Sequence, residues 1–323
     1  MQTPKDIRVS APFHRDSGSD RFPNLPQIVA DLRDLRVRSH RNRYGDAPTP
    51  ELPSRKIIAQ IVDNLVAALF PRHFGPHGLF GDAIDAFIET KLTTTLESLQ
   101  HQVRLELVLR AEGAEAGAAD HAAAAHEITA RFADDLPNIR ALLESDIRAA
   151  FEGDPAATSL DEVMCCYPGV TAIIRHRLAH GLHRLGARIL ARIIAEAAHS
   201  ITGIDIHPGA QIGEGFFIDH GTGVVIGETA VIGRRVRLYQ AVTLGARRFE
   251  ADESGALRKD YPRHPIVEDD VIIYAGATIL GRTTIGKGST IAGNVWLTSS
   301  VPPGSVITQA KARSNALDDG AGG

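Results

Sequence analysis

Three polar clusters interrupt a long run of aliphatic residues, and they carry the side chains best suited to chemistry. In chain order they are Asp205 with His207, Asp219 with His220, and Arg263 with His264. A histidine with a pKa near its ordinary value of about 6.5 can remove a proton from a hydroxyl group, and a carboxylate on its other ring nitrogen would hold the tautomer. We therefore expect His220 to act as a general base, with Asp205 within reach on a neighbouring coil.

The remaining charges suit a small substrate that carries both an ammonium group and a carboxylate. An arginine binds a carboxylate through two parallel hydrogen bonds, and Arg263 lies in a segment predicted to be a loop. Asp154 lies in the turn sequence GDPA, at the end of a predicted helix, where an acid could hold an ammonium group. Together with the proposed base, these groups indicate an amino-acid substrate that bears a hydroxyl.

Aliphatic residues that recur every six positions indicate the elements that must position these groups. The register comprises Ile206, Ile212, Ile218, Ile226, Ile232, Leu238, Leu244, Val267, Ile273, Ile279, Ile285, Ile291 and Leu297. A six-residue unit is typical of a parallel β-helix, in which each unit supplies a short strand and a turn and the aliphatic side chain points inward. We expect about a dozen units, or roughly four coils of three strands.

Two interruptions of this register lie at the polar clusters. The interval from Ile218 to Ile226 is eight residues instead of six, so two extra residues fall beside His220. The interval from Leu244 to Val267 is charged and predicts a loop over about 246–265 that leaves the β-helix. Because a structural repeat tends to break its pattern at functional places, both interruptions are candidates for a site.

The predicted architecture is an N-terminal α-helical domain followed by a parallel β-helix. Apolar residues at helical spacing indicate the helices, including one long helix that carries Ile174 to Ile193. The polar and proline-rich N-terminal segment is expected to be a disordered or loosely attached extension, and the C-terminal segment a flexible tail. The predicted boundaries are 1–54 for the extension, 55–200 for the helical domain, 201–307 for the β-helix and 308–323 for the tail.

Composition argues against several classes of protein. The net charge is −4, so no general attraction to nucleic acid or to membrane surfaces is expected. Cys165 and Cys166 are the only cysteines, and their adjacency is a poor geometry for a structural disulfide. The N-terminal residues contain no apolar core of a secretory signal, and no span approaches the apolar length of a membrane helix. We expect a cytoplasmic protein with reduced cysteines.

The motifs around these clusters resemble a known family. DIHPGAQIGEGFFIDHGTGVVIGETAVIG, followed by AVTLGA and then RHP, is similar to serine O-acetyltransferase of the left-handed β-helix acyltransferase superfamily, over about residues 136–307. The pairing of DIHP with DHGTGVVIGET distinguishes this family from other acetyltransferases with the same repeat. The resemblance implies a left-handed coil and transfer of an acetyl group from acetyl-CoA to the L-serine hydroxyl, which gives O-acetylserine for cysteine biosynthesis.

The resemblance also implies catalytic roles by position. His220 resembles the general base of the family, and Asp205 resembles the acid that orients it. His264 corresponds to a second active-site histidine.

Four further residues correspond to the serine-binding groups of the family. Asp154 and Asp219 match the residues that hold the serine amino group, and Arg263 matches the residue that faces the serine carboxylate. Glu228 corresponds to an acid close to the site. Since cysteine carries the same ammonium and carboxylate groups as serine, feedback inhibition by cysteine is a possible property of this pocket.

By the same resemblance, acetyl-CoA binds along a groove between adjacent coils of two subunits, and no metal takes part. Gly245, Ala275 and Gly293 fall where small residues let the pantetheine arm approach the backbone, although small residues are also expected at every corner of a β-helix. The basic residues Arg247 and Arg248 of the loop are candidates for contact with the CoA phosphates. We expect a homo-oligomer, either a trimer or a dimer of trimers.

The C-terminus bears on one further partner. Some members of the family end in an isoleucine that inserts into O-acetylserine sulfhydrylase, whereas this sequence ends Asp-Asp-Gly-Ala-Gly-Gly. Without an apolar anchor, ordering a glycine-rich end would lose conformational entropy with nothing to offset it. We therefore expect no stable complex with that enzyme.

Three alternatives remain at this point. The first is another acetyltransferase of the same repeat, with homoserine or a sugar as acceptor; a sugar would not need Arg263 together with Asp154. The second is a γ-type carbonic anhydrase, for which His207, His220 and His264 are available as zinc ligands, although aspartates adjoin two of these histidines. The third is a non-catalytic β-helix scaffold, for which a repeat without charged interruptions would be expected.

Overall fold

The structure is a computed structural model that describes residues 22–45, 49–110, 118–248, 250–252, 254–259 and 261–309. It divides into two compact units, 1–50 and 51–323. The first part of the predicted extension, residues 1–21, and most of the predicted tail, residues 310–323, lie outside the described residues.

The described part of the first unit is a helix, α1, over Leu25–Tyr44. Pro26 lies in its first turn, where the missing backbone N–H costs nothing, and Gly45 follows it with a φ of 62°. Of the two predicted states of the extension, disordered or loosely attached, disorder does not describe these residues, because they form a helix. None of the 20 residues of the helix is buried.

Among the described residues of the second unit, seven helices precede the strands. They are α2 (Arg55–Leu69), α3 (Pro71–Phe74), α4 (Asp82–Arg110), α5 (Ala118–Gly153), α6 (Leu160–Cys166), α7 (Pro168–Arg184) and α8 (Arg188–Thr202). Ser54 and Ser159 start α2 and α6 in the usual way, because each side chain accepts a hydrogen bond from a backbone N–H of the first turn. The apolar faces of these helices share one hydrophobic core with the strands that follow.

The predicted long helix is two helices, α7 and α8, that meet at Gly186. This glycine has a φ of 95°, and the N–H of Ala187 donates to the carbonyl of Leu182. The buried carboxylate of Glu106 accepts hydrogen bonds of 2.9 Å from the N–H groups of both Ile189 and Leu190, which satisfies the first turn of α8 from a distant helix. The apolar spacing predicts one helix across this break, because Leu185 and Ile189 keep the helical period.

The second part of the unit is a parallel β-helix of fourteen short strands in three sheets. The strands are β1 (Asp205–Ile206), β2 (Gln211–Ile212), β3 (Phe217–Ile218), β4 (Val225–Ile226), β5 (Val231–Ile232), β6 (Arg237–Leu238), β7 (Thr243–Gly245), β8 (Ile266–Val267), β9 (Ile272–Ile273), β10 (Thr278–Leu280), β11 (Thr284–Ile285), β12 (Thr290–Ile291), β13 (Trp296–Leu297) and β14 (Val306–Ile307). The predicted repeat residues all lie within these strands, and all but the partly exposed Ile212 are buried. The prediction of a left-handed parallel β-helix after a helical region is confirmed.

Each coil visits the three sheets in turn. Sheet A contains β1, β4, β7, β10 and β13; sheet B contains β2, β5, β8 and β11; sheet C contains β3, β6, β9, β12 and β14. The strands form five coils, one more than predicted, because Val301 bridges to Ile285 and β14 pairs with β12. Pro302 and Pro303 do not end the β-helix but occupy the turn between these last two positions.

Two corners of the coil concern the site. The insertion corner, where the chain passes from sheet C to sheet A, contains residues 219–224 with the two-residue insertion, and the turns 239–242, 274–277 and 292–295 of later coils. The loop corner, where the chain passes from sheet A to sheet B, contains 207–210, 227–230 and the loop 246–265. The strand ends on either side of this loop match its predicted bounds.

A buried ion pair fixes the helical domain on the first coil. Arg177 of α7 donates to Asp146 of α5 at 2.6 and 2.9 Å, and the same guanidinium donates to the carbonyls of Ile212 and Gly213. Asp146 in turn accepts the backbone N–H of Phe216 at 2.9 Å. Every charged atom of the pair is thereby hydrogen-bonded, as a buried charge requires. In the described part of the chain, no helix is long and apolar enough to cross a membrane.

Candidate active site

The insertion gives the insertion corner an unusual backbone at His220. This residue has a φ of 58° and an exposed side chain, and it is followed by Gly221 and Gly223, which also have positive φ. A Cβ at Gly221 would lie 2.5 Å from the side chain of Ile204, so only glycine fits there. The two extra residues therefore widen the turn and leave the imidazole in solvent.

Asp154 lies beside this corner at the end of α5. Its Oδ1 accepts the backbone N–H of Ala156 at 2.8 Å, and its Oδ2 accepts the hydroxyl of Tyr167 at 2.5 Å. These two hydrogen bonds, the Tyr167 one first, lower the pKa of Asp154, and the charges of Arg237 and His220 act in the same direction. The same hydrogen bond raises the pKa of Tyr167 to about 12. The lowered pKa keeps the Asp154 carboxylate ionised, and the two hydrogen bonds fix its orientation.

Asp219, next to His220, is paired with an arginine of the following coil. Arg237 lies 18 residues later in sheet C and donates from Nη2 to Asp219 Oδ2 at 2.7 Å. The guanidinium also lies 5.0 Å from the centre of the Phe217 ring and 4.7 Å from that of Tyr239. The guanidinium of Arg237 therefore lies beside Asp219 and Asp154, the two acids predicted to bind an ammonium group.

Asp205 opens β1 at the same corner. Its N–H donates to the carbonyl of Val224 at 2.9 Å, and it pairs with Val225 of the next coil, a few residues after His220. The structure therefore brings Asp154, Asp205, Asp219 and His220 to one corner, whereas the spacing in the sequence predicts only that Asp205 and His220 lie on neighbouring coils.

The loop corner holds the other predicted residues. Arg263 donates from Nη2 to Glu228 Oε2 at 2.5 Å, and its N–H donates to the hydroxyl of Thr229 at 2.9 Å. Burial would raise the pKa of Glu228, but the hydrogen bond from Arg263 and the nearby histidines hold it below its ordinary value. The arginine is thus tied to an acid at the base of the loop.

His264 is almost fully buried at this corner. Its Nδ1 accepts the backbone N–H of Thr229 at 3.1 Å, which leaves the proton of the neutral ring on Nε2. Burial, followed by the charge of Arg263, lowers the pKa of His264 to about 4. At neutral pH this side chain is an uncharged hydrogen-bond donor and not a cation.

Two further histidines lie at the loop corner. His207 accepts the N–H of Gly209 at Nδ1, and its ring lies edge-on to that of His183 of α7, with centroids 5.9 Å apart. Burial is the main cause that lowers the pKa of His207 to about 4. The helical domain thus contributes a side chain to this half of the site.

The residues predicted to bind acetyl-CoA are likewise divided between the insertion corner and the loop corner. Ala275 and Gly293 stack at the insertion corner on the fourth and fifth coils, where the N–H of Asn294 donates to the carbonyl of Ala275. A Cβ at Gly293 would lie 3.2 Å from that carbonyl oxygen, so a side chain would fill the space beside the backbone. Gly245 lies at the end of β7, where the chain enters the loop corner, and pairs with Leu280.

Sequence reasoning missed Tyr167, His183, Arg237 and Thr229 as contributors to the site. The 18-residue interval from Asp219 to Arg237 equals one coil, and this was a usable signal for their contact. Tyr167 offered no such signal, because its partner Asp154 precedes it by 13 residues across an intervening helix.

Comparison with known proteins places this geometry in a family. A family model described as bacterial transferase hexapeptide (six repeats) matches residues 264–299. A plasmid-encoded serine acetyltransferase of Synechococcus elongatus is 58% identical over 277 residues, which are 84% of this chain and 86% of that protein. The chain belongs to the serine acetyltransferase family.

Solved structures agree with this assignment. Serine acetyltransferase 1 of Entamoeba histolytica in complex with L-cysteine has a TM-score of 0.68 and 36% identity, over 81% of this chain and 89% of that chain. The Neisseria gonorrhoeae serine acetyltransferase in complex with serine has a TM-score of 0.50 and 28% identity, over 78% of this chain and 93% of that one. The prediction of a serine O-acetyltransferase is confirmed, and the homoserine, sugar and carbonic anhydrase alternatives are not favoured.

Proposed function

We propose that this acyltransferase moves the acetyl group of acetyl-CoA to L-serine at the insertion corner, with His220 as general base. The observation that carries the proposal is the convergence of Asp154, Asp219 and His220, which approach one another from α5 and from the widened turn. The two carboxylates suit the serine ammonium group, and an exposed imidazole beside them suits its hydroxyl.

The reaction balances with one base. His220 takes the proton of the serine hydroxyl as the oxygen attacks the thioester carbonyl carbon, and a tetrahedral intermediate forms. Its collapse breaks the carbon–sulfur bond, and the CoA thiolate takes the proton back from the imidazolium. Asp205 holds the ring orientation, and the products are O-acetylserine and CoA. General-base assistance of this kind contributes about 10²- to 10⁴-fold.

We propose further that a second copy completes the site. Arg263 and His264 lie at the loop corner of the coil, whereas His220 lies at the insertion corner. In a ring with rotational symmetry, one surface of each copy meets a different surface of the next, so the loop corner of one copy can face the insertion corner of its neighbour. Arg263 would then bind the serine carboxylate, while the neutral His264 donates a hydrogen bond from Nε2.

A complementation experiment tests this arrangement. His220→Ala and Arg263→Ala chains are each expected to lose most activity, and co-expression should return activity. If the two chains assemble at random in equal amounts, about a quarter of the interfaces pair an intact His220 with an intact Arg263. Recovery near a quarter of wild-type activity supports a shared site. No recovery in verified mixed oligomers would place both residues in one chain's site and would contradict a shared site.

Substrate choice is tested by release of CoA thiol from acetyl-CoA with L-serine, L-homoserine and a sugar. Serine should be preferred to a sugar, because a sugar has no ammonium group to meet the carboxylates of Asp154 and Asp219, and to homoserine, because the extra methylene group changes the position of the hydroxyl relative to His220. His220→Ala should lower kcat by about 10²-fold or more and leave acetyl-CoA binding nearly intact. Equal turnover of homoserine, or retention of more than a tenth of the activity by the variant, would overturn the assignment.

We also propose that cysteine competes with serine for this pocket. The support is the shared ammonium and carboxylate groups of the two amino acids, together with the L-cysteine bound to the Entamoeba relative. Inhibition should be competitive with serine and weaker in Arg263→Ala. Inhibition that this change leaves untouched would show that cysteine binds elsewhere.

A further inference from the structure

Helix α1 presents an apolar stripe to solvent. Leu25, Ile28, Leu32 and Leu35 recur at spacings of three and four residues, and they are 47%, 49%, 49% and 54% exposed. A helix that carries such a stripe normally buries it, because removing leucine and isoleucine side chains from water is favourable. The stripe is therefore a surface suited to a partner.

The spacing of the stripe specifies the kind of partner. Alternating intervals of three and four place Leu25 and Leu32 at position a, and Ile28 and Leu35 at position d, of a seven-residue repeat. This pattern keeps the apolar seam on one side when helices wind around each other. A second helix with the same repeat fits the seam.

Charges beside the seam specify the direction of the partner. In this register Asp31 occupies position g and Arg36 occupies the following position e. When two identical helices run parallel, the g residue of one faces the next e residue of the other, so Asp31 meets Arg36. In an antiparallel pair that keeps the four stripe residues in contact, g faces g, so Asp31 lies opposite Asp31 of the other copy and like charges are opposed. The sequence favours parallel pairing with itself.

We propose that α1 docks in parallel against α1 of other copies of this chain and forms a short coiled coil. Copies related by rotation about one axis present identical helices in the same direction, as parallel pairing requires. Two heptads are too short for a stable coil between free chains. Copies already joined through the β-helix supply the high effective concentration that such a weak contact needs.

Disulfide cross-linking tests the seam. Cys165 and Cys166 are exposed and are first replaced by serine. In that background Leu32→Cys places a thiol at position a, and Val37→Cys places one at position f on the opposite face, where the native side chain is equally exposed at 56%. Mild oxidation should join copies several-fold faster through position 32 than through position 37. Equal rates, or no cross-link at 32 in an intact oligomer, would overturn the proposal.

A charge exchange tests the direction. Asp31→Arg should slow cross-linking at position 32 by several-fold, and Asp31→Arg combined with Arg36→Asp should restore it. Failure of the double variant to restore the rate would remove the argument for parallel pairing. Sedimentation of the intact protein with phosphatidylserine vesicles, abolished by Leu32→Glu, would identify a lipid surface as the occupant instead. Acetyltransferase activity should stay unchanged in every variant, which separates this proposal from that for the active site.

Discussion

At the scale of single residues, the hydrogen bond from Tyr167 orients the carboxylate of Asp154, which we propose binds the substrate ammonium group. Tyr167→Phe removes the hydroxyl and lets the pKa of Asp154 rise towards its ordinary value. The carboxylate stays ionised at neutral pH but loses its fixed orientation. We expect a rise of about threefold to tenfold in KM for serine, with a smaller change in kcat and none in KM for acetyl-CoA.

Tyr239→Phe is the matched control for this prediction. Tyr239 lies in the same corner and stacks on Tyr274, with centroids 5.0 Å apart, but none of its described hydrogen bonds reaches Asp154. Steady-state kinetics with serine varied should separate the two variants. Equal effects on KM would mean that Tyr167 acts only through packing.

His264 predicts a pH dependence of stability. Its pKa falls from an ordinary value of 6.5 in the unfolded chain to about 4 in the folded one. Between these values the unfolded state binds more protons, so the free energy of unfolding decreases as the pH falls from about 6.5 towards 4. His264→Gln keeps an acceptor for Thr229 but does not titrate, and its urea-derived stability should fall less steeply over this window. Parallel curves for both proteins would contradict the role of His264.

The residues that sequence could predict are those that interrupt the repeat. Asp205, Asp219 and His220 are visible because they depart from a strict period, and Asp154 because of its turn. Tyr167 lies between α6 and α7 and His183 lies on α7, and tertiary packing alone decides what these two side chains contact. The contacts that side chains of the helical domain make with the β-helix therefore could not be predicted from the sequence.

At the scale of elements, the buried pair of Asp146 and Arg177 holds the helical domain on the first coil. Removing one partner leaves an unpaired buried charge, which costs about 3–5 kcal/mol. Arg177→Met should therefore destabilise strongly, and Arg177→Met with Asp146→Leu should recover part of the loss. Urea denaturation measures both.

The surface pair of Arg235 and Asp270 is the control for this comparison. Its 2.6 Å contact lies in solvent, so Arg235→Met should change the denaturation midpoint very little. If the double variant at the buried pair were no more stable than Arg177→Met alone, the loss would come from the backbone hydrogen bonds of Arg177 and not from an unpaired charge.

The helices, strands and loops differ in how far the local sequence pattern determines them. Strands could be located to the residue because each six-residue unit repeats the same inward position, and the loop because it breaks that rule. The fifth coil was missed because Pro302 and Pro303 were interpreted as an end, although proline suits the turn of a β-helix. The break at Gly186 was missed because the apolar spacing continues through it. Helix α1 was missed because its apolar spacing seemed weak.

At the scale of the whole molecule, the proposed shared site predicts that catalysis depends on assembly. A chain kept as a monomer would retain the widened turn with His220 but would lack the Arg263 and His264 of a neighbour. Activity per chain should therefore fall on dilution as the oligomer dissociates, at a concentration that sedimentation measures independently. Constant activity in verified monomers would contradict a shared site.

The stacked coils also imply a gradient of local opening along the axis. Each coil contacts only the coils beside it, and the first is covered by the helical domain through Arg177, whereas among the described residues β14 pairs on one side only, with β12. Backbone amides of the last coil should exchange with deuterium sooner than those of the coil before it, and those of the first coil last. The widened turn that carries His220, between the first and second coils, would then lie at the slowly exchanging end.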